Sequence, residues 1–215
     1  MQREAKFAVV AAREAGLLIE GGSSWDDFAE VMKAEAFLGS EHIVDLDVDS
    51  GQVVKVTKPP GFGFIPQIHT HPGIKLYDTA PDPVGRSALE FEKATPLEYL
   101  QRWMKANEVF GDDVRLASVI SWKGGEVSFC ILQSHYDGES ASSSEIERYF
   151  VESGWTHLKD PNGEHEVFMN YAFNVIAVDA MPRNCKLNEY GLQPFDVILS
   201  TPDDALEDFL QIYPS

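Results

Sequence analysis

Asp179, Asn184 and Asp196 are the residues whose types and spacing could share one piece of chemistry. Asp179 ends the apolar run FNVIAV, Asn184 follows five positions later, and Asp196 ends the run LQPF twelve positions beyond that. Carboxylates and an amide on fixed loops can ligate a hard cation such as Mg²⁺, and a held carboxylate can orient an attacking hydroxyl. Phosphoryl transfer asks for those parts together with a cation on the remaining phosphates. Taken singly, each residue has an ordinary explanation, because Asx side chains commonly bond nearby backbone in loops. The set is more informative than its members.

Such residues act together only if strands and turns bring their loops to one place. Short strands are expected at VFMN, FNVIAV and PFDVILS, with a turn at NEYG, residues 188–191. Upstream, residues 43–57, IVDLDVDSGQVVKVT, alternate apolar and polar types around Asp49, Ser50 and Gly51, which predicts a β-hairpin carrying Lys55 on its second strand. Two further β-runs, 114–122 and 126–133, meet at Lys123, Gly124 and Gly125. Residues 1–37 read as helical, with Ser24 capping a second helix that has Asp27 at the reciprocal position and Phe28, Val31, Met32 and Phe37 as apolar positions. The tetrapeptide TPLE at 95–98 is a helix start in which Thr95 caps and Glu98 closes a capping box; Leu97, Leu100, Trp103, Met104 and Val109 are its expected buried face. Ser144 with Glu147 predicts a short helix ending near Gly154, and TPDD at 201–204 a terminal one. Residues 59–83, rich in Gly and Pro without a sustained period, read as a long loop or insertion.

The segment DAMPRN, 179–184, resembles the protein-kinase catalytic loop, an Asp separated by four residues from an Asn, with Pro182 where many kinases also carry proline. In the same alignment CKLN is the next strand, Gly191 its turn glycine, and Asp196 the metal-binding aspartate. The order GSEH, VVK, TPLEYL, FGDDVRL, QSHYDG and this loop resembles the small kinase-like domains of polyvalent proteins from phages and mobile elements, over most of residues 39–200. The resemblance implies an α+β, two-lobed protein-kinase-like fold with a small antiparallel-sheet N-lobe and a much reduced C-lobe. Residues 1–37 would be an N-terminal helical segment, 38–137 the N-lobe with its hinge at 133–138, and 138–215 the reduced C-lobe.

By that resemblance the cofactors are ATP and Mg²⁺, and the reaction is phosphoryl transfer to an alcohol group. Lys55 would contact the α- and β-phosphates, with Glu98 as its helix partner and Glu92 or Glu108 as alternatives. Gln133 and His135 would line the adenine side, Asp179 would orient the acceptor hydroxyl, and Asn184 and Asp196 would hold the metal. The acceptor would be a small molecule or another protein. Some positions depart from the kinase pattern: Ala177 and Val178 replace His-Arg, Met181 replaces a lysine, Val197 and Ile198 replace Phe-Gly, and 19 residues follow Asp196. These departures imply the alternative of a catalytically silent kinase-like module that binds a partner or nucleotide.

Composition narrows the remaining classes. The chain has 215 residues, 44% hydrophobic, enough to bury a core. With 35 acidic against 17 basic residues and a net charge of −18, it repels phosphate backbones and anionic headgroups, so neither nucleic acid nor membrane is an expected partner. Cys130 and Cys185 lie in apolar stretches and read as inert buried thiols of a reducing compartment, and the charged flanks of the N-terminal apolar stretches do not fit a signal peptide. A cytoplasmic protein is expected. His69 and His71 could share one strand face, but two histidines do not complete a metal site. Trp25, Trp103, Trp122 and Trp155 are expected as core anchors.

Overall fold

A computed structural model describes residues 1–33, 36–47, 49–72 and 85–213. Helix α1 (Gln2–Glu14), strand β1 (Leu18–Glu20), helix α2 (Trp25–Met32) and strands β2 (Phe37–Leu38), β3 (His42–Asp47) and β4 (Gln52–Thr57) come first. Strands β5 (Phe64–His71) and β6 (Arg86–Lys93), helix α3 (Pro96–Phe110) and strands β7 (Arg115–Ser121), β8 (Val127–Ser134) and β9 (Glu139–Ser140) follow. Then come α4 (Ser143–Glu152), β10 (Thr156–Lys159), β11 (Glu166–Asn170), β12 (Val175–Val178), β13 (Cys185–Asn188), β14 (Gly191–Pro194), β15 (Ile198–Ser200) and α5 (Asp204–Leu210). The architecture is mixed α+β. It divides into two units, Met1–Ile65 with Lys93–Gly138, and Pro66–Glu92 with Glu139–Ser215.

In the first unit a six-stranded sheet runs β1-β7-β8-β4-β3-β2, with β1 parallel to β7 and the other pairs antiparallel. The hairpin β3–β4 forms where the alternation places it. Residues 1–37 are not all helical: after α1, Gly16 at φ +72° turns the chain, and Leu18 pairs with Val119. A three-residue edge strand is fixed by its ladder, which local periodicity does not record. Helix α2 starts on Ser24 as expected, stops at Met32, and leaves Phe37 in a strand against Val44. Helix α3 has its Thr95–Glu98 capping box, and it buries Tyr99, Arg102, Trp103 and Ala106. The expected core residues Leu97 and Met104 stay 57% and 68% exposed.

In the second unit a four-stranded antiparallel sheet runs β10-β11-β12-β15, beside a three-stranded sheet β14-β13-β9 and the pair β5–β6. Strand β12 is buried along its whole length, which is why VIAV reads as a continuous apolar run. The Gly- and Pro-rich stretch is not all loop: residues 64–71 are strand β5, while the part at 73–83 lies outside the described residues. Helix α4 starts on Ser142, with Glu145 closing the box, two residues before the expected Ser144 and Glu147. Of the tryptophans, Trp103, Trp122 and Trp155 are buried and Trp25 packs edge-on against Trp122. Among the described residues no helix is long and apolar enough to cross a membrane.

Candidate functional site

The loop after β12 is built from local bonds. Asp179 adopts φ +59°, a left-handed conformation that Asp tolerates better than most residues. The Met181 N–H then donates to the Asp179 carbonyl at 2.9 Å, and a 3₁₀ turn at Pro182–Asn184 closes the loop. From Asn184, Nδ2 donates to the main-chain oxygen and to Oδ2 of Asp179, each at 2.8 Å. The Arg183 guanidinium donates to Asp179 Oδ1 at 2.6 Å. Asn184 is 6% exposed, whereas the Asp179 side chain keeps 18% of its surface in water. The carboxylate is thus oriented from both sides and still reachable.

Strand register brings Asp196 to the same place. The β13–β14 hairpin pairs Cys185 with Pro194, and the Phe195 N–H donates to the Asn184 carbonyl at 3.0 Å, extending the ladder to the residue before Asp196. Strand β12 pairs with β15 as far as Val178 and Ile198, so Asp179 and Asp196 lie just beyond the same end of that ladder. Of the three residues singled out by spacing, Asp179 and Asn184 are therefore in contact, and strand register places the Asp196 backbone at the same end of the sheet. Asn184 is buried and Asp196 half-buried, and an amide oxygen and a carboxylate are both donor types that suit a hard cation. Cys185, next in the chain, has its thiol pushed up to about 12 by burial, with the Asp179 charge adding to the shift.

In the first unit, Lys55 is 4% exposed on an interior strand, between Val44 of β3 and Ile131 of β8, so it is not a solvated edge residue. Its Nζ sits 4.9 Å from the Trp103 ring centroid. Glu98 uses Oε2 to accept the Thr95 N–H at 2.7 Å, completing the capping box. Of its alternatives, Glu92 pairs with His69 at 2.8 Å in the second unit. Gln133 is 2% exposed and donates to Asp112 at 2.6 Å, and Tyr136 donates to the same carboxylate at 2.7 Å. Burial and that acidic neighbour raise the Tyr136 hydroxyl. His135 stays near the surface, 3.3 Å from Asp137, and its main-chain N–H donates to the Gly51 carbonyl at 3.0 Å.

Sequence reasoning missed two ion pairs. Arg183 reaches Asp179 at i,i+4, a spacing that acquires meaning only once the 3₁₀ turn exists. Glu41 of the GSEH motif pairs with Arg102 at 2.6 Å, with side chains 9% and 1% exposed, and the adjacent His42 bonds the Tyr99 hydroxyl at 2.9 Å. His69 and His71 face Glu92 and Glu90 across β5 and β6. Among the described residues, no group of three or more His, Cys, Asp and Glu side chains is placed to hold a metal ion. Fold and site together describe a mixed α+β protein with an Asp179–Asn184 loop clamp at the end of β12. No protein-family model, curated protein or solved structure matches the chain.

Proposed function

We propose that the chain is an ATP- and Mg²⁺-dependent phosphotransferase of the protein-kinase-like fold, acting on an alcohol group of a small molecule or of another protein. The observation that supports this reading is the Asn184–Asp179 contact after β12, with strand register placing the Asp196 backbone at the same end of the β12–β15 ladder. Asn184 and Asp196 would hold Mg²⁺, which supplies neutralisation of triphosphate charge when bound. Asp179, fixed by Asn184, accepts the hydrogen bond of the acceptor hydroxyl and takes its proton. Arg183, 64% exposed, places a cation beside that carboxylate. By the kinase resemblance Lys55 would contact the nucleotide phosphates, and its burial against Trp103 within the first unit supports a role beyond surface solvation.

A catalytically silent kinase-like module, binding a partner or nucleotide, is the second reading. Two observations favour it: both Asp179 carboxylate oxygens already accept hydrogen bonds, and the Gln133 amide is engaged by Asp112.

Thermal denaturation with Mg-ATP at about 5 mM tests the first reading, since a ligand bound only by the folded state raises Tm. The expected result is a rise in Tm that Asp196→Ala abolishes without lowering the unliganded Tm. Release or transfer of the γ-phosphate is then expected to depend on Asp179. Nucleotide binding with equal turnover in Asp179→Ala would leave the silent module, and no Tm shift would discard the nucleotide reading.

A further inference from the structure

Helix α1 presents two unlike faces. Ala12 is buried and Ala5, Ala8 and Val9 are half-buried on the face turned toward the sheet. On the opposite face lie Arg3, Phe7, Val10 and Glu14, all exposed, with Phe7 at 73% and Val10 at 50%. Their spacing of four, three and four residues is that of a coiled-coil seam, facing water.

The seam is complementary to itself. Turned end over end about the midpoint between Ala8 and Val9, position 7 exchanges with 10 and position 3 with 14. In an antiparallel pair of α1 helices, Phe7 would thus meet Val10 of the second copy, and Arg3 would meet Glu14 of the second copy. Each contact occurs twice under the two-fold, as an isologous interface requires.

Charge selects the same face. Helix α1 holds Arg3, Lys6 and Arg13 against Glu4 and Glu14, leaving 14 basic against 33 acidic residues in the rest of the chain. Copies of so acidic a protein repel one another over most of their surface, and α1 is where that repulsion is locally cancelled. An apolar groove of about 450 Å³, lined by Phe7, Ala8, Ala11, Leu97, Leu100 and Leu116, opens along one flank of the seam. A two-fold keeps like flanks together, so the two grooves face each other and widen the contact.

We propose that α1 is an isologous docking surface for a second copy of this chain, paired antiparallel through Arg3, Phe7, Val10 and Glu14. One helix and a groove rim on each side fall at the small end of specific interfaces, so the dimer is expected to be weak, with a Kd on the order of 10 μM.

Analytical ultracentrifugation of the full chain from about 1 to about 500 μM tests this, spanning that Kd on both sides. The mass is expected to rise from 24.0 kDa toward twice that value. Phe7→Glu is expected to weaken association more than about tenfold with an unchanged circular dichroism spectrum, because an exposed side chain contributes little to the fold. Arg3→Glu alone is expected to weaken it about fivefold, and Arg3→Glu combined with Glu14→Arg to restore it. A chain monomeric at every concentration, a dimer indifferent to Phe7→Glu, or a double charge swap that fails to restore pairing would overturn the proposal.

Discussion

Asn184 holds Asp179 from a single amide nitrogen, donating to its main-chain oxygen and its carboxylate Oδ2 at 2.8 Å each. The clamp sits where the backbone needs it, since a left-handed φ of +59° at a residue with a Cβ costs about 1–2 kcal/mol. Asn184→Ala removes both bonds from a buried position and is expected to cost about 1–3 kcal/mol, lowering Tm by roughly 2–12 °C in a chain of this size. Asp179→Gly and Asp179→Ala lose the same carboxylate, but only glycine relieves the backbone. Thermal denaturation is expected to find the glycine variant about 1 kcal/mol the more stable; equal Tm values would remove strain from the account.

On the phosphotransferase reading, Lys55, buried on the interior strand β4, is the residue expected to govern nucleotide affinity. Lys55→Met keeps much of the aliphatic stem and removes the cation. Calorimetric titration with Mg-ATP is expected to show binding weakened at least about tenfold, a loss of about 1.4 kcal/mol. Unchanged affinity would take Lys55 out of the phosphate-binding role.

Features carried by neighbouring residues were the ones legible in the sequence. The β3–β4 hairpin, the Thr95–Glu98 box of α3 and the β13–β14 turn each rest on residues a few positions apart, and each is found. The Asp179–Asn184 contact was visible for a related reason, since both residues border the short strands β12 and β13. What depends on distant partners was not visible. Strand β1 exists through its ladder to β7, and Glu41 finds Arg102 across 61 positions. The start of α4 was displaced for a third reason: Ser142, Ser143 and Ser144 precede Glu145 and Glu147, so two capping boxes compete. In the alternative pair, Glu147 bonds His157 at 3.2 Å instead.

Cys185 supplies a pH-dependent readout of the loop. With its folded value raised from 9.0 to about 12, chiefly by burial, the native protein keeps the thiol protonated where the unfolded chain has begun to ionise. The contribution to stability is fully present below pH 9 and is lost progressively as pH rises toward about 12. Alkylation by iodoacetamide at about pH 8 is expected to leave Cys185 unmodified in native protein and to label it in denaturant, because the thiolate is the nucleophile. Peptide mass spectrometry distinguishes it from Cys130, which is only partly buried. Rapid native labelling of Cys185 would mean that the loop carrying Asp179 and Asn184 opens.

The Glu41–Arg102 ion pair of the first unit is expected to be costly to break. Arg102 is 1% exposed, and Glu41 Oε2 accepts from its guanidinium at 2.6 Å and from the Phe64 N–H at 2.9 Å. Removing the carboxylate of a buried pair takes compensating charge away from a guanidinium in a medium that solvates it poorly, at about 3–5 kcal/mol. Glu41→Gln is therefore expected to lower Tm by roughly 6–20 °C, and combining it with Arg102→Met to recover part of that loss, because the buried guanidinium charge goes too. Gly63 gives an independent check. At φ +80°, a Cβ there would lie 2.5 Å from Glu41 Oε2, so Gly63→Ala strains the backbone and displaces the carboxylate together. If the pair matters as argued, Gly63→Ala is less damaging in the Glu41→Gln, Arg102→Met background than in wild type; equal losses in the two backgrounds would assign the whole effect to the backbone.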